Sequence, residues 1–235
     1  MKNLSRIGRL FFALAMAEFG IQYLGHAFMR GPALGPPFSP VRPFWGYFAA
    51  VVLILAAVSI VAGKQTRCLA MVLAVTLLLR ALLFYAPKLA ANPHDPSPWT
   101  SGFEILAMCG AALLISGFAV GLGRWLFAIS LVVFGTQHFL YAKFVATLVP
   151  SWIPGHLFWA YFVGAAFVAA AVSIAIGKNA RLAATLLGLM FILWVFALHF
   201  PRVAASPHDG NEWTSAFVAL AMCGGSWVLA GTSKR

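Results

Sequence analysis

No charged residue interrupts the chain from Phe44 to Ala62, and the stretches from Leu10 to Met29 and from Trp125 to Tyr141 are almost as apolar. About 20 such residues are needed to cross the hydrocarbon core of a bilayer. In that medium the backbone must bond to itself, which for single runs of this length means helix. Composition agrees: 62% of residues are hydrophobic and 9% charged, against roughly a quarter charged in a soluble domain. Mean hydropathy is +0.91. The chain therefore reads as all-α and polytopic, with the lipid bilayer as its first partner. The net charge of +11 does not point to nucleic acid, because the basic residues sit at the ends of apolar runs and form no single stripe.

The chain is also written twice. GRLFFALAMAEFGIQ (8–22) returns as GRWLFAISLVVFGTQ (123–137), FWGYF (44–48) as FWAYF (158–162), VSIVAGKQTR (58–67) as VSIAIGKNAR (172–181), and AMCG (107–110) as AMCG (221–224). Gly8 and Gly123 are 115 apart and Phe44 and Phe158 are 114 apart, so one residue was gained or lost between the first two runs. Each copy reads as four spans, at 8–28, 44–62, 68–86 and 99–119, then at 122–142, 158–176, 181–200 and 213–231. The prolines Pro32, Pro36, Pro37, Pro40 and Pro43 separate spans one and two; Pro87, Pro93, Pro96 and Pro98 separate three and four. The expected architecture is eight transmembrane helices in two repeats, 1–120 and 121–235. An even number of spans makes the copies parallel, related by a pseudo-twofold axis along the membrane normal.

Lys2, Arg6, Arg9, Lys64, Arg67, Arg124, Lys178, Arg181, Lys234 and Arg235 fall on one side, against Arg30, Arg42, Lys88, Lys143 and Arg202 on the other. The excess places both termini in the cytoplasm and the Pro-rich loops outside. Residues 2–17 imitate a secretory signal, but the same segment recurs mid-chain, so it reads as an uncleaved first span. Cys68, Cys109 and Cys223 form no CxxC pair and read as small hydrophobes.

Charged side chains inside a bilayer are costly and are functional candidates by default. The first copy carries Glu18, Arg80 and Glu104, where the second has Val133, Trp194 and Val218. Their joint loss suggests one network, with the Arg80 guanidinium pairing the carboxylates. Ser101 and Glu104 also fit a capping box at the start of span four. Glu18, Gln22 and His26 share one helix face. Gln137, His138 and Tyr141 form a degenerate second set, which with the first suits a ligand-filled pocket or a proton relay.

The loops NPHDPSPWT (92–100) and SPHDGNEWT (206–214) offer His94, Asp95, His208 and Asp209 as N and O ligands if they meet on the axis. No further ligands stand at useful spacing, so no metal or covalent cofactor is expected. The structural reading has Pro start a turn, Asp accept backbone N–H bonds, Trp anchor at the headgroups, and Thr100-Ser101 and Thr214-Ser215 cap the last span of each copy.

The Gly8-Arg9 and Gly123-Arg124 starts, the F-G-x-Q segments at 19–22 and 134–137, and the GKQTR and GKNAR ends of span two carry a resemblance. With these motifs the four-span unit resembles the DoxX-like family of bacterial membrane proteins, over nearly the whole chain as two fused units. That family includes small subunits of thiosulfate:quinone oxidoreductase. The resemblance implies an inner-membrane, quinone-linked or redox role with partner subunits. Members often carry a glutamate near the end of span two, where this chain has Ala56, Ala57, Val58 and Ala170, Ala171, Val172, so no residue is transferred from that helix. No nucleophile–base set or cofactor loop appears, so a self-contained enzyme ranks last. The leading expectation is a membrane subunit of a redox system binding a quinone or other small hydrophobic ligand, in an oligomer or with redox-enzyme partners. The alternatives are a small-solute transporter and a purely structural or assembly protein.

Overall fold

A computed structural model describes residues 2–29 and 42–233, with side chains except those of Lys2, residues 26–29 and residues 42–43. The prolines at 32–40 and the charges Arg30, Lys234 and Arg235 lie outside the described residues. What is described is helical throughout, with no strand: α1 (Lys2–Met29), α2 (Arg42–Ala62), α3 (Thr66–Arg80), α4 (Ala86–Ala91), α5 (Pro96–Ser116), α6 (Val120–Leu140), α7 (Ala142–Leu148), α8 (His156–Ile176), α9 (Ala180–Trp194), α10 (Phe200–Ala205) and α11 (Gly210–Thr232). Among the described residues, eight helical runs are long and apolar enough to cross a membrane, with α3–α4 and α9–α10 each counting as one. Leu14, Val58, Leu83 and Leu182 are exposed, as lipid-facing side chains are.

Pro87 and Pro201 do not end their helices. Each sits at the start of a short α-helix preceded by a π-helical segment, Ala81–Tyr85 and Val195–His199. A helical proline lacks its N–H and clashes with the carbonyl four residues back, here Leu83 and Ala197. The wider π turn makes room at those carbonyls. The third span of each copy thus runs to Ala91 and Ala205, beyond the expected 86 and 200.

Helices meet through small residues. A Cβ on Gly224 would stand 2.6 Å from the Gly8 carbonyl, and one on Gly110 2.6 Å from the Gly123 carbonyl. The repeated GR and AMCG motifs therefore bring α1 against α11 and α6 against α5 at backbone distance, as small-residue crossings do in lipid. Further contacts run α1–α2, α6–α8, α3–α5, α9–α11 and α5–α11. The GKxxR turns close the other end. Gly63 (φ 68°) and Gly177 (φ 77°) take the left-handed conformation open to glycine. Arg67 Nε then donates to the Ser116 carbonyl (3.2 Å) and Arg181 Nη2 to the Ser233 carbonyl (3.0 Å). Each arginine satisfies a carbonyl left over at a helix C-terminus, where positive charge is favoured. Cys109 and Cys223 are buried, whereas Cys68 is exposed.

The PHD loops resolve into capping. Asp95 and Asp209 are themselves the N-caps, accepting from Ser97 N (3.0 Å) and Asn211 N (2.8 Å). The expected caps Thr100-Ser101 and Thr214-Ser215 lie inside the helices, as does Glu104, so the capping box is not formed. Pro96 explains the earlier start, because a first-turn proline gives up only an N–H that had no partner. Trp99 and Trp213 donate to the Pro93 and Pro207 carbonyls, both at 2.9 Å. Asp95→Ala and Asp209→Ala should each cost about 1 kcal/mol and the double variant about 2 kcal/mol, read from unfolding in detergent.

Candidate functional site

Gln22 of α1 links two helices. Its side-chain amide donates to Glu18 one turn earlier, and its carbonyl oxygen accepts from the Thr214 hydroxyl of α11 (2.9 Å). The other Oε of Glu18 is buried without a partner among the described residues. At the matching position Thr100 of α5 donates to Gln137 Oε1 (3.1 Å), while Gln137 Nε2 donates to the Pro96 carbonyl (3.0 Å). Val133 stands where Glu18 does, so this second glutamine finds a backbone carbonyl in place of a carboxylate. His26 follows on α1, with its side chain outside the described ones.

The expected Arg80 network is not formed. Arg80 pairs neither Glu18 nor Glu104; the ion pair among the described residues is Arg202–Glu212 (2.7 Å), which joins α10 to α11. The Arg80 guanidinium lies over the rings of Tyr23 (5.0 Å), Phe84 (5.6 Å) and Tyr85 (5.9 Å). Helix geometry gives the reason. Tyr23 is five residues past Glu18, about 140° round α1, so one faces α3 while the other is held on the α11 side. Glu104 is half-buried, with no hydrogen bond or ion pair among the described residues.

Gln137, His138 and Tyr141 also diverge. His138 packs edge-on against Phe167 of α8 (5.1 Å between centroids), and its Nδ1 lies 2.8 Å from the Phe134 carbonyl. A carbonyl only accepts, so Nδ1 carries the proton, and in the neutral ring Nε2 is left as an acceptor. Tyr141 is exposed at the end of α6. His94, Asp95, His208 and Asp209 belong to no group of three or more metal-ligating side chains among the described residues. The two aspartates are committed to capping.

Space for a ligand lies elsewhere. A groove of about 670 Å³ runs between α8 and α9, walled by Trp159, Phe162, Ala169, Leu186, Met190 and Trp194. The Trp159 and Trp194 rings meet edge to face at 6.0 Å, and Trp159 is fixed by its bond to the Pro154 carbonyl (3.1 Å). The polar residues read from the sequence do not line it. Its sequence signal is steric: Ala166, Ala169, Ala170 and Ser173 recur at helical spacing on one face of α8, opposite large residues of α9. In the first copy Val52 and Leu55 stand where α8 has Ala166 and Ala169. Sequence reading also missed the Arg202–Glu212 pair. Its signal was the mismatch of Glu212 with Pro98 of the first copy.

Residues 127–223, less than half of the chain, match a family described as a domain of unknown function (DUF8561). Comparison with curated proteins and with solved structures gave no match.

Proposed function

We propose that this protein is a multi-pass subunit of a membrane redox system that holds a small hydrophobic ligand of the quinone type in the α8–α9 groove. The electron-carrying cofactor then belongs to a partner chain. The observation that carries the reading is the groove itself. Its volume lies in the range of small-molecule sites, its walls are almost wholly apolar, and two indoles at its outer end suit a flat ring. Ser173 and Asn179 supply polar groups toward the cytoplasmic end.

The same proposal includes the architecture: two parallel four-helix units, 1–120 and 121–235, about an axis normal to the membrane, in a bacterial inner membrane with both termini cytoplasmic. Matched contacts support it. Gly8–Gly224 corresponds to Gly123–Gly110. A Cβ on Gly225 would stand 2.9 Å from Ala111, its own counterpart in the sequence repeat. A residue beside its own counterpart is what a twofold axis between them produces. Orientation rests on the Lys and Arg distribution.

The test is binding of a short-chain ubiquinone to the full chain in maltoside micelles, followed by quenching of tryptophan fluorescence. Wild type should quench saturably. Ala169→Phe, which fills the groove from an exposed position, should weaken binding at least about tenfold, or ~1.4 kcal/mol, and leave the unfolding midpoint in place. Equal quenching of wild type and variant sinks the proposal.

A further inference from the structure

Among the described residues, Arg80 and Lys88 are two cations that form no ion pair. The chain has five acidic side chains, and each is described. Asp95 and Asp209 cap helices, Glu212 pairs Arg202, Glu18 bonds Gln22, and Glu104 makes no ion pair with either cation. Arg80 and Lys88 nevertheless converge on one aromatic pair. The Arg80 guanidinium and the Lys88 ammonium each lie within 5.9 Å of both the Phe84 and Tyr85 ring centres, with Lys88 4.1 Å from Phe84.

The second copy shows how the fold treats the same place when the charge is neutralised. The counterpart of Lys88 is Arg202, held at 2.7 Å by Glu212. The first copy has Pro98 where that carboxylate would stand, and the counterpart of Arg80 is the uncharged Trp194. One copy closes its charge internally; the other leaves two positive charges open, Arg80 half-buried and Lys88 exposed. Cation–π contacts orient such groups but do not cancel their charge. An uncompensated arginine within a span is costly. Lys88 stands three residues before the end of the third span at Ala91, where a membrane presents its headgroups, and Arg80, about two turns deeper, shares its aromatic pair.

We infer that Arg80 and Lys88 form a binding site for a phosphate group, the guanidinium fork and the ammonium taking its oxygens beside Phe84 and Tyr85. Bidentate guanidinium–phosphate pairing and a point-charge lysine are the matching chemistry. The phosphate can come from an anionic phospholipid or from a free phosphate. This inference does not depend on the α8–α9 groove.

The test uses the full chain in maltoside, a detergent without phosphate, with phosphatidylglycerol binding followed by native mass spectrometry. One arm adds inorganic phosphate as competitor. Wild type should bind the lipid, and Arg80→Gln/Lys88→Gln should bind it on the order of tenfold more weakly. Pro98→Glu provides a variant that removes neither cation. It places a carboxylate where Glu212 stands in the second copy and should weaken binding severalfold with the unfolding midpoint unchanged. Displacement by millimolar inorganic phosphate assigns the site to a free anion; lipid binding that resists it assigns the site to the headgroup. Undiminished lipid binding in both variants, or no lipid or phosphate binding in wild type, overturns the inference.

Discussion

Gly224→Val should leave little folded protein. A Cβ at that position would lie 2.6 Å from both the Gly8 carbonyl oxygen and the Phe12 nitrogen, and neither is the movable end of a side chain. The α1 and α11 helices must part along their contact, at a cost of about 3 kcal/mol or more. In lipid, burying apolar surface gives no compensating return, because association rests on close packing itself. Gly110→Val should behave alike, since its Cβ would meet the Gly123 carbonyl at 2.6 Å. Gly121→Ala is the control: nothing lies within 4 Å, and the change should be neutral or slightly stabilising. Size-exclusion profiles and unfolding midpoints in maltoside read all three. A Gly224→Val protein as stable as wild type would mean that α1 and α11 do not touch there.

Phe127→Ala is expected to cost about 3–4 kcal/mol. Phe127 is fully buried on α6, and its ring edge lies 2.9 Å from where a Cβ of Gly225 would stand on α11. Its backbone nitrogen is 3.1 Å from the matching point on Gly110 of α5. Phe127 therefore stands where three helices meet, and truncation of its ring opens a cavity that backbone-tight crossings cannot close. Phe127→Leu should recover most of the loss. Leu14→Ala, at a position 54% exposed, should cost under about 1 kcal/mol. Equal losses at Phe127 and Leu14 would contradict the described packing.

Much of the fold is legible in the sequence. The apolar runs mark the eight spans, and the repeated GR, AMCG and GKxxR segments prove to be contact and capping devices. What escaped the sequence depends on direction. Charge complementarity suggests that Arg80 should meet a carboxylate, but which side of α1 faces α3 is set by packing, and Tyr23 holds that side. Pro87 reads as a break because a π-helical turn that absorbs it leaves no periodic signature. Asp95 is legible as an acceptor of backbone N–H bonds but not as the cap itself, because Pro96 and Pro98 read as loop although first-turn prolines fit a helix start. The α8–α9 groove is made of missing volume at Ala166, Ala169 and Ala170. Sequence attention goes to polar side chains, and a row of alanines looks like ordinary helix.

The α8–α9 groove as a ligand site is the central claim, and a photoreactive quinone tests it most directly. After irradiation of the full chain in membranes, labelled peptides are mapped by mass spectrometry. Label is expected on the α8 and α9 segments that carry Trp159, Ala169, Met190 and Trp194, suppressed by excess unlabelled quinone and by Ala169→Phe. Label spread evenly over the lipid-facing helices, or concentrated beside Glu18 and Gln22, would contradict it.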